Sequence, residues 1–239
     1  EIIEKFRIAN RHCDDPRERE DARDAFISTF ASLDALPQGA VVGTGSVRRT
    51  SQLAAKRPDL SFKPLVGNID TRLRKLIEGE YSAIILAMAG LKRLGLLDSW
   101  GDSDYRNLKV QPMSGDVMLP APGQAVLVLE TRADDPESIR LASLLNHESS
   151  KLAATAERAF LRRFGGGCSV PVAAFARTGA DSLVLEGLVA SPDGTRILRD
   201  VETGDIANPS KLGVTLAERL GGKGAFEIVN ALMAGGAAK

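Results

Sequence analysis

The chain has 239 residues, 44% of them apolar and 26% charged, with 31 Lys plus Arg against 31 Asp plus Glu. At roughly 150 residues per domain this length suggests more than one small domain, and it is long enough to bury a core without metal or disulfide staples. The neutral balance argues against a global field for nucleic acid or an anionic membrane, so any anion site has to be local.

Only Cys13 and Cys168 are present, 155 positions apart, together with His12 and His147. Neither a disulfide framework nor a zinc site is indicated, and a reducing compartment fits. The longest apolar run, Ala83 to Ala89, is far below the ~18 residues of a membrane span, which points to a soluble chain. Glu1-Ile2-Ile3-Glu4-Lys5 lacks the apolar stretch of a secretory signal, and with no initiator Met upstream residues are expected to be missing.

Residues 1 to 24 carry eight acids and six bases, which suits a solvated helix or frayed end. Val41-Val42 reads as a strand, Gly43-Thr44-Gly45 as a turn, and Ser46 as the cap of a helix running to Arg57, where Pro58 stops it. Leu60 to Val66 reads as a strand. Asp70 or Thr71 can cap a helix ending at Gly79, and Ala83 to Ala89 reads as a buried strand followed by a short helix over Leu91 to Leu96. This alternation predicts a βαβ-type sheet. The polar, aperiodic stretch Leu97 to Pro112 is expected to be a linker or crossover. Ala125 to Leu129 is a continuous apolar run of the kind buried on both faces of a sheet. Asp135-Pro136 starts a helix. A second unit begins near Glu148 with a helix that stops at Gly165-Gly166-Gly167. Strands follow over Val170 to Ala176, Leu183 to Ala190 and Ile197 to Val201, the last pair joined by the turn Ser191-Pro192-Asp193-Gly194. Pro209 to Leu220 and Ala225 to Met233 supply closing helices.

Three segments could carry chemistry. Gly43-Thr44-Gly45-Ser46-Val47-Arg48-Arg49 aims the unpaired amides and positive dipole of a helix N-terminus forward, and two arginines in that first turn oppose the dipole unless an anion compensates. Residues 46 to 75 hold eight Lys or Arg against Asp59 and Asp70. That density could serve nucleic acid, a small polycarboxylate gripped by bidentate guanidinium groups, or simply a solvated face. Phe62 is the only aromatic among them, which weakens a base-stacking groove. Gly165-Gly166-Gly167-Cys168-Ser169-Val170-Pro171 places a thiol after a flexible turn, where it could be a nucleophile, an attachment point or a buried structural cysteine.

Taken together these segments resemble the porphobilinogen deaminase family, also called hydroxymethylbilane synthases. The resemblance rests on Gly43 to Arg49, on Gly67-Asn68-Ile69-Asp70-Thr71-Arg72-Leu73, on Glu78 to Leu96, on Leu119-Pro120-Ala121-Pro122-Gly123-Gln124 and on Gly166 to Pro171, all in the family's order. It extends from about residue 21, where Ala22-Arg23-Asp24-Ala25-Phe26 is its first piece, to the C-terminus.

The resemblance implies an α/β, multi-domain fold: a periplasmic-binding-protein-like βαβ domain and a smaller C-terminal α+β domain carrying the cofactor cysteine. The expected boundaries are a polar segment over 1–21, the α/β domain over 22–115, a return segment over 116–147 toward an incomplete first domain, and the C-terminal domain over 148–239. It further implies a transferase of porphyrin and heme biosynthesis that joins four porphobilinogen units with loss of ammonia, on a dipyrromethane cofactor bound through Cys168. Thr44, Ser46, Arg48, Arg49 and Arg72 would hold the cofactor's carboxylates, and Arg93 and Gln124 would meet the substrate and growing pyrrole chain. No metal, nucleic acid or membrane is expected, the compartment would be cytoplasmic, and the chain would be a monomer if complete and association-prone if truncated.

Three departures from the family pattern stand out. The N-terminal portion with the catalytic aspartate has no counterpart, so no Asp is assigned its role and low turnover in isolation is expected. The alternative would be a degenerate paralogue or a small-anion or pyrrole-binding module. Val66 stands where the family has Arg, and Ala125 where it has Gly.

Overall fold

The computed structural model describes residues 18–165 and 170–236. The first unit is a five-stranded mixed sheet in the order β3-β2-β4-β1-β5. Its strands are β1 (Asp24–Ser28), β2 (Val41–Gly43), β3 (Ser61–Lys63), β4 (Ala83–Ala87) and β5 (Lys109–Pro112), interleaved with helices α1 (Val47–Lys56), α2 (Ile69–Ile77) and α3 (Met88–Arg93). β2, β3 and β4 run parallel, and β1 lies antiparallel between β4 and β5.

Strand alternation explains the core. Ala25 and Ile27 of β1, with Ile84 and Leu86 of β4, face Leu73, Leu76 and Leu91 on one side. Phe26, Ala83 and Ile85 face Val42, Leu53 and Met118 on the other. With both faces covered, all five β1 residues are buried. Burying a side chain such as Phe26, 2% exposed, contributes about 1.5–3 kcal/mol.

The second unit is the antiparallel sheet β6 (Val172–Thr178), β7 (Ser182–Ala190) and β8 (Ile197–Asp205), covered by α5 (Glu148–Arg163), α6 (Pro209–Gly222) and α7 (Ala225–Gly236). Phe160, Leu185, Val189, Leu212 and Leu216 form its core. Its opposite face meets the first unit, where Leu119 packs on Ala173, Leu188 and Ala190. The turn after β7 presses on α1 so closely that a Cβ on Gly194, whose φ is +73°, would lie 2.4 Å from the Ser51 carbonyl oxygen. α4 (Pro136–Ser143), capped by Asp135 accepting from the Ser138 amide, lies between the units in sequence and buries none of its residues.

Four expectations are corrected. The described part of the N-terminal segment is no frayed end: Glu20, Ala22 and Asp24 are buried, and the first strand begins at Asp24. Leu97 to Pro112 is not a plain linker, because it contains a 3-10 turn at Trp100–Asp102 and ends in β5, which pairs with β1. Asn68, rather than Asp70 or Thr71, caps α2 by accepting from the Thr71 amide. Ala125 to Leu129 forms no strand. Leu127, Val128 and Leu129 are 38, 50 and 40% exposed, since no strand lies beside them among the described residues to pair with their backbone.

Candidate anion-binding site

The site forms at one edge of the first sheet. β2, β3 and β4 end there at Gly43, Lys63 and Ala87, and because β1 is antiparallel its first residue, Asp24, arrives at the same edge opposite Ala87. The carboxyl ends of parallel strands are where open α/β sheets bind ligands.

β2 leads into Thr44, buried at 5% exposure, whose Oγ1 accepts from the Ser46 amide at 3.2 Å. Ser46 stands at the N-cap of α1 but makes no capping hydrogen bond with its side chain, and the first turn holds no acid. Gly43 is required here: a Cβ would lie 2.7 Å from the Tyr81 ring.

The anion that the two first-turn arginines demand comes from within the chain. Arg48 donates through Nη1 to Asp24 Oδ2 at 2.7 Å and through Nη2 to Oδ1 at 3.2 Å. Arg49 donates through Nε to Oδ1 at 2.9 Å, and its Nη2 lies 2.7 Å from the same oxygen. Burial alone would push the Asp24 carboxyl up; Arg48 and Arg49 reverse that and hold it below the ordinary aspartate range. Burial likewise drives the Arg49 guanidinium below its usual value, with Asp24 opposing and Arg48 and Arg72 adding like charge.

The two arginines differ in what remains. Arg48, 5% exposed, also donates to the Leu119 carbonyl at 2.7 Å and the Gln124 Oε1 at 3.4 Å. Arg49 donates through Nη1 to the Ile85 carbonyl at 2.9 Å and keeps unspent Nη hydrogens. Gln124 turns its amide inward, donating to the Ala22 carbonyl at 2.6 Å and to Asp24 Oδ1 at 3.3 Å.

Arg72, on α2, donates through Nε to the Gly67 carbonyl at 2.7 Å. Arg93, at the end of α3, donates through Nη2 to the Ala125 carbonyl at 2.8 Å, while its Nε is buried with no hydrogen-bond partner. Val66 is 66% exposed and offers no donor. Cys168 lies outside the described residues.

The structure thus joins Arg48, Arg49 and Gln124 directly and brings Arg72 within electrostatic reach. It also shows why eight Lys or Arg over 46–75 do not make one cationic surface: Arg48 and Arg49 are turned onto Asp24, and Arg57 onto Asp59. Asp24 is the residue that sequence reasoning missed. Its signal was a single acid opening the apolar run Ala25-Phe26-Ile27.

A family model described as porphobilinogen deaminase, dipyromethane cofactor binding domain, matches residues 11–140. Its companion, porphobilinogen deaminase, C-terminal domain, matches residues 151–222. The chain belongs to the porphobilinogen deaminase family. It is 50% identical over 203 residues to the porphobilinogen deaminase of Roseiflexus sp. (strain RS-1), covering 84% of this chain and 64% of that protein. It is 48% identical over 216 residues to the porphobilinogen deaminase of Nitrosomonas europaea, covering 90% and 67%. It therefore spans about two thirds of the length of these relatives.

A dipyrromethane bearing acetate and propionate arms fits the donor set of a porphobilinogen deaminase site built this way. The unspent hydrogens of Arg49, the remaining donors of the half-buried Arg72 and the orphaned Nε of Arg93 are all suited to carboxylates. Among the described residues no group of His, Cys, Asp and Glu is arranged to hold a metal ion, and no helix is long and apolar enough to cross a membrane.

Proposed function

We propose that the chain is the pyrrole-anchoring and carboxylate-gripping part of a hydroxymethylbilane synthase, the transferase that condenses porphobilinogen units head to tail with release of ammonia in porphyrin and heme biosynthesis. The observation that carries this reading is Arg93 Nε, a buried donor without an acceptor, while Arg49 and Arg72 keep guanidinium hydrogens that the chain's own acceptors leave unspent. A buried orphan donor costs about 1–3 kcal/mol, a cost that an arriving carboxylate removes.

In this reading Cys168 is the tether. Thr44, Ser46 and the first amides of α1 receive one carboxylate at the positive end of the helix dipole. Arg49 and Arg72 grip the acetate and propionate arms, Arg48 backs Arg49, Arg93 takes a substrate carboxylate through Nε, and Gln124 holds Arg48 in register. When bound, the dipyrromethane supplies a pyrrole terminus with a free α-carbon, to which the next unit is joined. Family membership, with about half of the aligned positions identical to named deaminases, supports this assignment.

The remaining parts of the proposal follow from composition and surface. Two cysteines far apart in sequence suit the cytoplasm, and the partners are porphobilinogen and the growing pyrrole chain rather than nucleic acid or a membrane. Leu127, Val128 and Leu129, with Ile139, Leu141, Leu144 and Leu145, are exposed, so the chain self-associates at high concentration while that face stays uncovered. The test is a chromogenic aldehyde reaction for bound pyrrole, after refolding the chain with the linear tetrapyrrole made by an intact synthase. Colour retained after desalting is the expected result. Its absence would contradict the reading.

A further inference from the structure

The anion site contains an anion of its own, and its bonds say what that anion is for. Asp24 Oδ1 accepts from Arg48 Nη2, Arg49 Nε and Gln124 Nε2, at 3.2, 2.9 and 3.3 Å, and Oδ2 accepts from Arg48 Nη1 at 2.7 Å. Held by four hydrogen bonds and 0% exposed, this carboxylate presents no surface to a substrate. What it does control is direction. Arg48 and Arg49 are neighbours on the first turn of a helix whose dipole repels them. Without a fixed negative charge they would also repel each other and swing toward solvent.

Asp24 is itself fixed, because it opens β1 in register with Ala87 of the central strand β4 and its carbonyl accepts from the Met113 amide.

We propose that Asp24 is the positioning residue of the anion site: its carboxylate clamps Arg48, Arg49 and Gln124 so that Arg49 presents its unspent edge to a ligand carboxylate. This rests on the functional reading above and deepens it. The clamp leaves the Asp24, Arg48 and Arg49 cluster with one net positive charge, so the site enters ligand binding preorganised rather than having to gather two loose side chains at the moment of binding.

The experiment labels arginine with 15N and reads hydrogen exchange at Arg49 Nε, assigned by Arg49→Lys, with porphobilinogen as the probe ligand. In the unliganded wild-type protein Arg49 Hε should exchange at least tenfold more slowly than Hε of Arg57, whose partner Asp59 lies at the surface. In Asp24→Asn that protection should be lost, and the Kd for porphobilinogen should rise at least tenfold in protein that retains its wild-type far-ultraviolet circular dichroism. A folded variant with wild-type Kd and protected Arg49 would overturn the proposal, because a merely structural role leaves both unchanged. If Asp24→Asn does not fold, the wild-type comparison decides: equal exchange at Arg49 and Arg57 overturns it. If porphobilinogen fails to bind even the wild-type chain while Arg49 is protected and loses protection in Asp24→Asn, the functional reading fails and the clamp stands.

Discussion

Arg19 Nη1 lies 2.6 Å from Oε1 of Glu157, a residue 138 positions later in the chain. Glu157 sits on α5, fully buried, and also accepts from the Gly123 amide at 2.6 Å and the Ala176 amide at 2.8 Å. Arg19 in turn donates through Nε to the Gln124 carbonyl at 3.0 Å and stacks 4.8 Å from the Phe175 ring centre. The pair thus ties the N-terminal segment, the loop that carries Gln124 and the C-terminal sheet into one joint. Removing one partner of a buried pair strands a charge, at a cost of about 3–5 kcal/mol. Arg19→Met is therefore expected to lower stability by that amount in urea unfolding, whereas Arg19→Met combined with Glu157→Gln should lose distinctly less. Equal losses would show that the joint is not held by this pair.

Two buried carboxylates give stability opposite slopes with pH. Asp24 has a folded pKa below its unfolded one, so its contribution is present above ~pH 4 and is lost as pH falls through the lower folded value. Glu157 is the reverse: burial pushes its carboxyl up, and Arg19 and the two amides offset only part of that. Its contribution is present below ~pH 4.3 and declines as pH rises through the raised folded value. Unfolding curves across pH should show Asp24→Asn flattening the acid limb and Glu157→Gln flattening the higher one. Unchanged limbs in both variants would contradict the assignment.

Ala125 is the one non-glycine residue with positive φ among the described residues, at +71°, and it carries the carbonyl that accepts from Arg93 and from the Glu20 amide. A left-handed alanine costs roughly 1–2 kcal/mol. Ala125→Gly is expected to raise stability by about 1 kcal/mol, net of the added backbone freedom of the unfolded chain, read as a higher denaturation midpoint at constant slope. A destabilised variant would mean that the Ala125 methyl group, packed with Ala22 and Ala89, contributes more than the backbone strain costs.

Much of this architecture was legible because local signals agreed with the fold. Pro58 stopped α1, Asp135-Pro136 opened α4, and the turn at Ser191 to Gly194 held its glycine at positive φ. The alternation of strands and helices gave the α/β class. What escaped was whatever depends on distant partners. β5 (Lys-Val-Gln-Pro) looks polar in isolation and becomes a strand only because β1 offers its edge. Ala125 to Leu129 is the converse, a strand-like run left exposed for want of a neighbour. At the site, the arginines and the small-residue turn were visible. The anion that answers them lies within the chain but escapes a local reading, because Asp24 is 24 residues from Arg48 and nothing local links them.

The most direct test of the anchoring claim is the mass of the peptide containing Cys168 after the chain is refolded with the linear tetrapyrrole from an intact synthase and then digested. The Cys168 peptide should gain the mass of the linear tetrapyrrole less one molecule of water, the thiol sulfur having displaced the terminal hydroxyl, and the Cys13 peptide should gain nothing. An unmodified Cys168 peptide would contradict it.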